Sequence, residues 1–263
     1  MNRLVIRQTT AGLADCLKNS FTSSSSSLSM LRVVIAYDGR HGSYDFAHDA
    51  AGVLAARGIC ALLYRTVHPT PLGAFAVKHL QTDAGIVVTA SHNPPEYNGY
   101  KVYWKGGNQI NDPIDGKIAK AIISVAESNE ASPECMDLEE AEAKGLLKWL
   151  GEEEFDAYKQ QLLDSVSLKE GVGKDKLVVA YTPLHGVGAR FAEDLLKSAG
   201  ITQVHTVKEQ REPDGDFPTV NFPSESLFPT RVRECFIVKP ADIASQNKNQ
   251  TRKRRERWTS SLR

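Results

Sequence analysis

Ser91, His92 and Asn93 stand in line in Gly85-Ile-Val-Val-Thr-Ala-Ser-His-Asn-Pro-Pro95, and Lys101 follows ten residues after the serine. A hydroxyl becomes a nucleophile or a phosphoryl acceptor only when a neighbour takes its proton or steadies the developing charge, and an imidazole and an ammonium are groups of that kind. Pro94 and Pro95 restrict the backbone and hold such a loop in few shapes. A Ser-His pair in a loop also suits an ordinary polar turn, and the residue types alone leave both readings open. No G-x-S-x-G, G-x-x-x-x-G-K-[ST] or G-x-G-x-x-G occurs, which counts against hydrolase, P-loop and dinucleotide-binding chemistry.

The elements around this loop alternate. Leu31-Arg-Val-Val-Ile-Ala-Tyr37 is an apolar run of strand length ending in the turn Asp38-Gly-Arg40, and residues 43–57 repeat apolar side chains at helical spacing before Gly58. Residues 59–64 read as a buried strand, 72–80 as a helix, 84–89 as a strand that delivers Ser91, 99–104 as a further short strand and 112–126 as a helix. Ahead of them, residues 8–21 read as an amphipathic helix capped by Thr9 or Thr10, and Ser23–Ser27 as a flexible connector. Strand–helix alternation implies parallel pairing, with reactive groups on loops at the carboxyl ends of the strands. The expectation is an α/β fold, a mixed, mostly parallel sheet flanked by helices and repeated in a second, incomplete domain. Residues 1–130 form the first domain and 131–175 an acidic helical linker, since eleven acids fall between Glu127 and Asp156. Residues 176–224 form the partial second domain, with a strand at 176–181, a helix ending near Gly200 and a strand at 204–207; 225–263 are a disordered basic tail.

The chain has 263 residues, with 32 basic and 32 acidic side chains. That balance hides an asymmetry: residues 246–263 carry seven basic residues and one acid, a net +6, leaving −6 for the rest. An acidic body argues against nucleic acid as the partner. Cys16, Cys60, Cys135 and Cys235 stand far apart, with neither zinc-site nor disulfide spacing, and read as reduced thiols. The N-terminus lacks a signal h-region and no apolar run approaches the ~18 residues of a membrane span, so a cytoplasmic protein is expected.

Thr89-Ala-Ser-His-Asn-Pro94 followed by Asn98-Gly-Tyr-Lys101 resembles the active-site loop of the α-D-phosphohexomutases, the phosphoglucomutase and phosphomannomutase superfamily. The resemblance continues, in order, through Asp38-Gly-Arg40, Pro69-Thr-Pro71, Tyr181-Thr-Pro-Leu-His-Gly-Val-Gly188 and Glu212-Pro-Asp-Gly-Asp-Phe-Pro-Thr-Val220, and covers residues 1 to about 225. Arg7-Gln-Thr-Thr10 and Tyr100-Lys-Val-Tyr-Trp104 are most similar to the phosphopentomutase-like branch. The resemblance implies a phosphoserine at Ser91 that exchanges its phosphoryl with 1-phospho and 5- or 6-phospho sugars through a bisphosphate intermediate. It implies His92 as a proton or charge partner, Lys101 as general acid/base, Arg40 and Asn93 as support for loop or phosphate, and Mg²⁺ on the Ser91 phosphate. A bisphosphorylated sugar would be the activator and a phosphosugar the partner.

Three features depart from that family. An upstream G-T-A-G-[LI]-R-G segment is missing, no D-x-D-x-D triplet of magnesium ligands occurs, and resemblance stops after Ser224. Asp214-Gly-Asp216 precedes the expected position and reads as a surface turn, because two acids do not replace three oriented ligands. The expectation is therefore a truncated phosphosugar mutase with little or no turnover of its own; the alternative is a non-catalytic fragment that binds a phosphosugar or a protein. Uncovered domain faces predict self-association.

Overall fold

The computed structural model describes residues 1–21, 30–128, 132–166, 173–220 and 237–238. The chain divides into two compact units, Met1–Ser91 with Pro95–Tyr158, and His92–Pro94 with Lys159–Arg263. The serine run, the C-terminal tail apart from residues 237–238, and Cys235 lie outside the described residues.

In the first unit, β1 (Arg32–Tyr37), β2 (Cys60–Tyr64), β3 (Ala84–Val88) and β5 (Leu147–Leu150) are mutually parallel and β4 (Tyr100–Trp104) runs antiparallel, in the order β4-β3-β1-β2-β5. The central runs are continuously apolar because both faces are covered. Val33, Ile35, Leu63 and Ile86 pack with Leu13 and Leu17 of α1 (Arg3–Phe21), Ala47 and Leu54 of α2 (Ser43–Ala56), and Ile118 of α4 (Ile114–Glu127). On the opposite face α3 (Thr70–His79) lies so close that a Cβ on Gly85 would come within 2.3 Å of Val77. α1 and α4 also approach tightly: a Cβ on Gly12 would meet the Ile122 backbone at 2.6 Å.

This is the α/β, mostly parallel sheet flanked by helices that the alternation predicts. From β1 the chain moves to β2 on one side and then back to β3 on the other. The crevice at the carboxyl ends of β1 and β3 is therefore the point where the topology switches direction, the usual place for a ligand in an open parallel sheet.

Two local expectations change. Helix α1 begins at Arg3, well before residue 8, because Ile6 is fully buried and Arg3 and Arg7 are drawn onto the buried carboxylate of Asp49. Thr10 is consequently not a cap; it is buried in mid-helix and its hydroxyl donates to the carbonyl of Ile6. The acidic stretch contains α5 (Leu138–Ala143), capped by Asp137, and then β5 before α6 (Glu152–Ser165). A segment whose charge reads as a helical linker thus contributes an edge strand to the first sheet.

The second unit holds β6 (Val178–Tyr181), α7 (Ala189–Ser198) and β7 (Gln203–Thr206) as one βαβ step, β6 pairing parallel with β7. β8 (Ile237–Val238) pairs antiparallel with the other side of β6. Cys16, Cys60 and Cys135 are free thiols. No helix among the described residues is long and apolar enough to cross a membrane.

Candidate active site

The loop after β3 leaves and returns through one neck. The Thr89 amide donates to the Gly99 carbonyl at 3.0 Å, and a Cβ on Gly99 would stand 2.5 Å from the Thr89 carbonyl oxygen, so only glycine fits there. Between these residues Ser91 adopts φ 59°, a left-handed conformation uncommon for a residue with a side chain. It is held there from two directions. Its own amide donates to the Thr89 hydroxyl at 3.0 Å, and its carbonyl accepts from Nη2 of Arg40 at 2.8 Å. The Ser91 side chain is left exposed at the mouth of the crevice.

Arg40 comes from the turn after β1. Its side chain is only 2% exposed, its Nε pairs with Asp38 at 3.2 Å, and its Nη1 donates to the Tyr97 carbonyl at 3.3 Å. Burial pushes the guanidinium down from its ordinary value, while Asp38 and Glu96 pull it back. One side chain thus makes an ion pair with Asp38 and also bonds the loop carbonyls of Ser91 and Tyr97. The other oxygen of Asp38 accepts the Ser43 hydroxyl at 2.7 Å, and Ser43 accepts from the Asn98 side-chain amide at 3.0 Å.

Lys101 lies on β4, in register with Val87 of β3, at the end of the sheet where the Ser91 loop begins and ends. Alternation along β4 places it on the face opposite Val102, which belongs to the core. His92 and Asn93 are exposed at the tip of the loop and group with the second unit rather than with Ser91 and Lys101. The structure thus joins Ser91 to Arg40 directly and brings Lys101 to the same end of the sheet.

Ser43 escapes sequence reasoning because a serine opening a helix signals only a cap. Asp38 and Asn98 both sit inside recognisable motifs, yet nothing local ties them together.

Magnesium prefers near-octahedral oxygen coordination with at least one or two carboxylates. Among the described residues no three His, Cys, Asp or Glu side chains come together to hold a metal. Asp214 instead accepts the Asp216 amide in a turn, and both oxygens of Asp38 are occupied by Arg40 and Ser43. The described residues do not fit the ion.

Residues 1–129 match the model of phosphoglucomutase/phosphomannomutase α/β/α domain I, and residues 156–239 that of domain II, which takes in β8. The chain belongs to this family, the α-D-phosphohexomutases. A Haemophilus influenzae protein named “probable phosphomannomutase” is 41% identical over 227 residues, covering 85% of this chain and 43% of that protein. Human phosphopentomutase is 35% identical over 230 residues, 85% of this chain and 36% of its own length. A solved Thermus thermophilus structure named for phosphomannomutase superposes with a TM-score of 0.67 at 26% identity, covering 84% of this chain and 45% of that one. The α-D-phosphohexomutase chain in hand therefore spans less than half the length of these relatives.

Proposed function

We propose that this chain carries the phosphoryl-transfer loop of a phosphosugar mutase in carbohydrate metabolism, with Ser91 as the residue that bears the phosphoryl group. The observation that carries the reading is the exposed hydroxyl of Ser91 on a left-handed residue at the topological switch point, clamped by the buried Arg40. Strain of this kind, of order 1–3 kcal/mol, persists only where surroundings over-determine it, and it collects at reactive sites.

In the proposed step, a free hydroxyl of a 1-phospho or 5- or 6-phospho sugar attacks the phosphoryl on Ser91. A new P–O bond forms to the sugar, the P–O bond to Ser91 Oγ breaks, the attacking hydroxyl gives its proton to one of Lys101 and His92, and Ser91 Oγ leaves as a hydroxyl by taking a proton from the other. The resulting bisphosphate returns its other phosphoryl to Ser91 after reorienting, and the proton flow reverses. Arg40 keeps the loop in place, and in this proposed step Asn93 has the part of supporting the phosphate. Such transfer is mostly positioning and charge neutralisation, which suits a rigid loop beside cationic groups.

A second reading, phosphosugar binding without turnover, is favoured by one observation: the described residues bring no carboxylate group together for the metal that the family relatives imply. Incubating the chain with glucose 1,6-bisphosphate and weighing it intact separates the two. Gain of one phosphoryl group, absent in Ser91→Ala, supports the carrier role; conversion of glucose 1-phosphate to glucose 6-phosphate would then extend it to turnover. No gain of mass with retained bisphosphate binding favours the second reading.

A further inference from the structure

We infer that Ser43 is a positioning residue for the Ser91 loop, tying its returning limb to the same carboxylate that anchors its outgoing limb. The inference rests on the reading of Ser91 as phosphoryl carrier. Ser43 is fully buried at the start of α2, outside the loop itself, yet it lies between the side chains of Asp38 and the loop residue Asn98. A serine hydroxyl has one proton to give and two lone pairs to receive with. Because the side-chain nitrogen of Asn98 only donates, the Ser43 proton goes to Asp38, and the chain of bonds has one polarity: Asn98 donates to Ser43, Ser43 to Asp38, and Arg40 to Asp38 and to the Ser91 carbonyl.

One carboxylate therefore holds both limbs. Through Oδ2 it fixes Arg40, which grips Ser91 and Tyr97; through Oδ1 it fixes Ser43, which grips Asn98 immediately before the neck glycine. Every one of these links except that from Asn98 to Ser43 involves an ionised group, which makes it stronger than a neutral bond, and linked bonds in a poorly solvated place polarise each other. Replacing Ser43 by alanine would leave the Asn98 amide and one Asp38 acceptor position without this partner, so the returning limb would loosen. The left-handed geometry of Ser91 would then be sampled instead of fixed. Displacement of about 1 Å in a reacting group costs up to ~100-fold in rate.

The test compares the full chain with Ser43→Ala and with Asn98→Asp, which keeps the shape of the side chain but replaces the donor with a carboxylate. The probe is glucose 1,6-bisphosphate. Two quantities are read: the rate of phosphoryl gain on Ser91 against bisphosphate concentration, and amide hydrogen exchange over residues 90–98 relative to β1 and β3. The expected result is a maximal rate about tenfold lower with half-saturation unchanged, and loop exchange about tenfold faster with strand exchange unaltered. Loop exchange equal to that of the parent overturns the inference, as does a lowered melting temperature with an unchanged maximal rate. A parent chain that gains no phosphoryl defeats the carrier reading instead, and loop exchange still decides whether Ser43 holds the limb. Should Ser43→Ala fail to fold, Asn98→Asp, outside the core, answers the same question.

Discussion

The guanidinium of Arg40 donates to the main-chain carbonyl of Ser91 at 2.8 Å, across 51 residues of sequence. A buried cation thus holds the backbone of the proposed phosphoryl carrier, and Ser91 itself stays exposed. Arg40→Met should release the loop and leave Asp38 without its cation, at a cost of about 3 kcal/mol in denaturant unfolding. Arg40→Lys should recover little of it, because a single ammonium does not reach Asp38, Ser91 and Tyr97 with the spread of a planar fork. Chemical denaturation of the three proteins checks the order.

Ser91 combines a hydroxyl and a left-handed backbone, and two substitutions separate them. Ser91→Ala and Ser91→Gly should both abolish phosphoryl gain. Only the glycine form relieves the strain at φ 59°, and it should melt as though about 1 kcal/mol more stable than the alanine form. Equal melting temperatures would show that the backbone at Ser91 is not strained.

Gly99→Ala introduces a Cβ where 2.5 Å separates it from the Thr89 carbonyl, so the neck must open. The expected loss is about 2 kcal/mol of stability, with proteolytic nicking between residues 90 and 98 accelerated as the loop is freed. Limited digestion followed by mass mapping reads this directly.

Asp49 sets an acid limit on the first unit. Burial alone would raise its carboxyl, but Arg3 and Arg7 hold it below its ordinary value of 3.8. A carboxyl depressed by folding contributes stability above its unfolded pKa and loses it as pH falls toward the folded one. Melting temperature should therefore drop as pH falls below about 4, and less steeply in Asp49→Asn. That variant should already be about 2 kcal/mol weaker at pH 7; Arg3 is 62% exposed, so most of the effect belongs to Arg7 and the buried carboxylate itself.

Much of this was legible in residue order, for physical reasons. β1, β2 and β3 are buried on both faces, so their runs are apolar without interruption and stand out against the helices between them. Ser91 is recognisable because loop chemistry is dense and local. Ser43 is not: its partner Asn98 lies 55 residues away, and only folding brings the two limbs of the loop past the end of β1. Leu147-Lys-Trp-Leu150 escapes for another reason, since an edge strand buries its ends and exposes the lysine between them, and among so many acids that short pattern looks helical.

β5 has a consequence for anyone handling the first domain by itself. A chain cut at residue 130, where the acidity begins, would remove β5 from the side of β2 and bare the N–H and C=O groups of a strand buried on both faces. Such an uncovered flank recruits whatever extended segment is at hand, and the preparation would be expected to swap strands or form fibrils. Carrying the cut forward to Tyr158 keeps the flank sealed by the molecule's own acid-rich strip, whose repelling surface then works as a guard against neighbours.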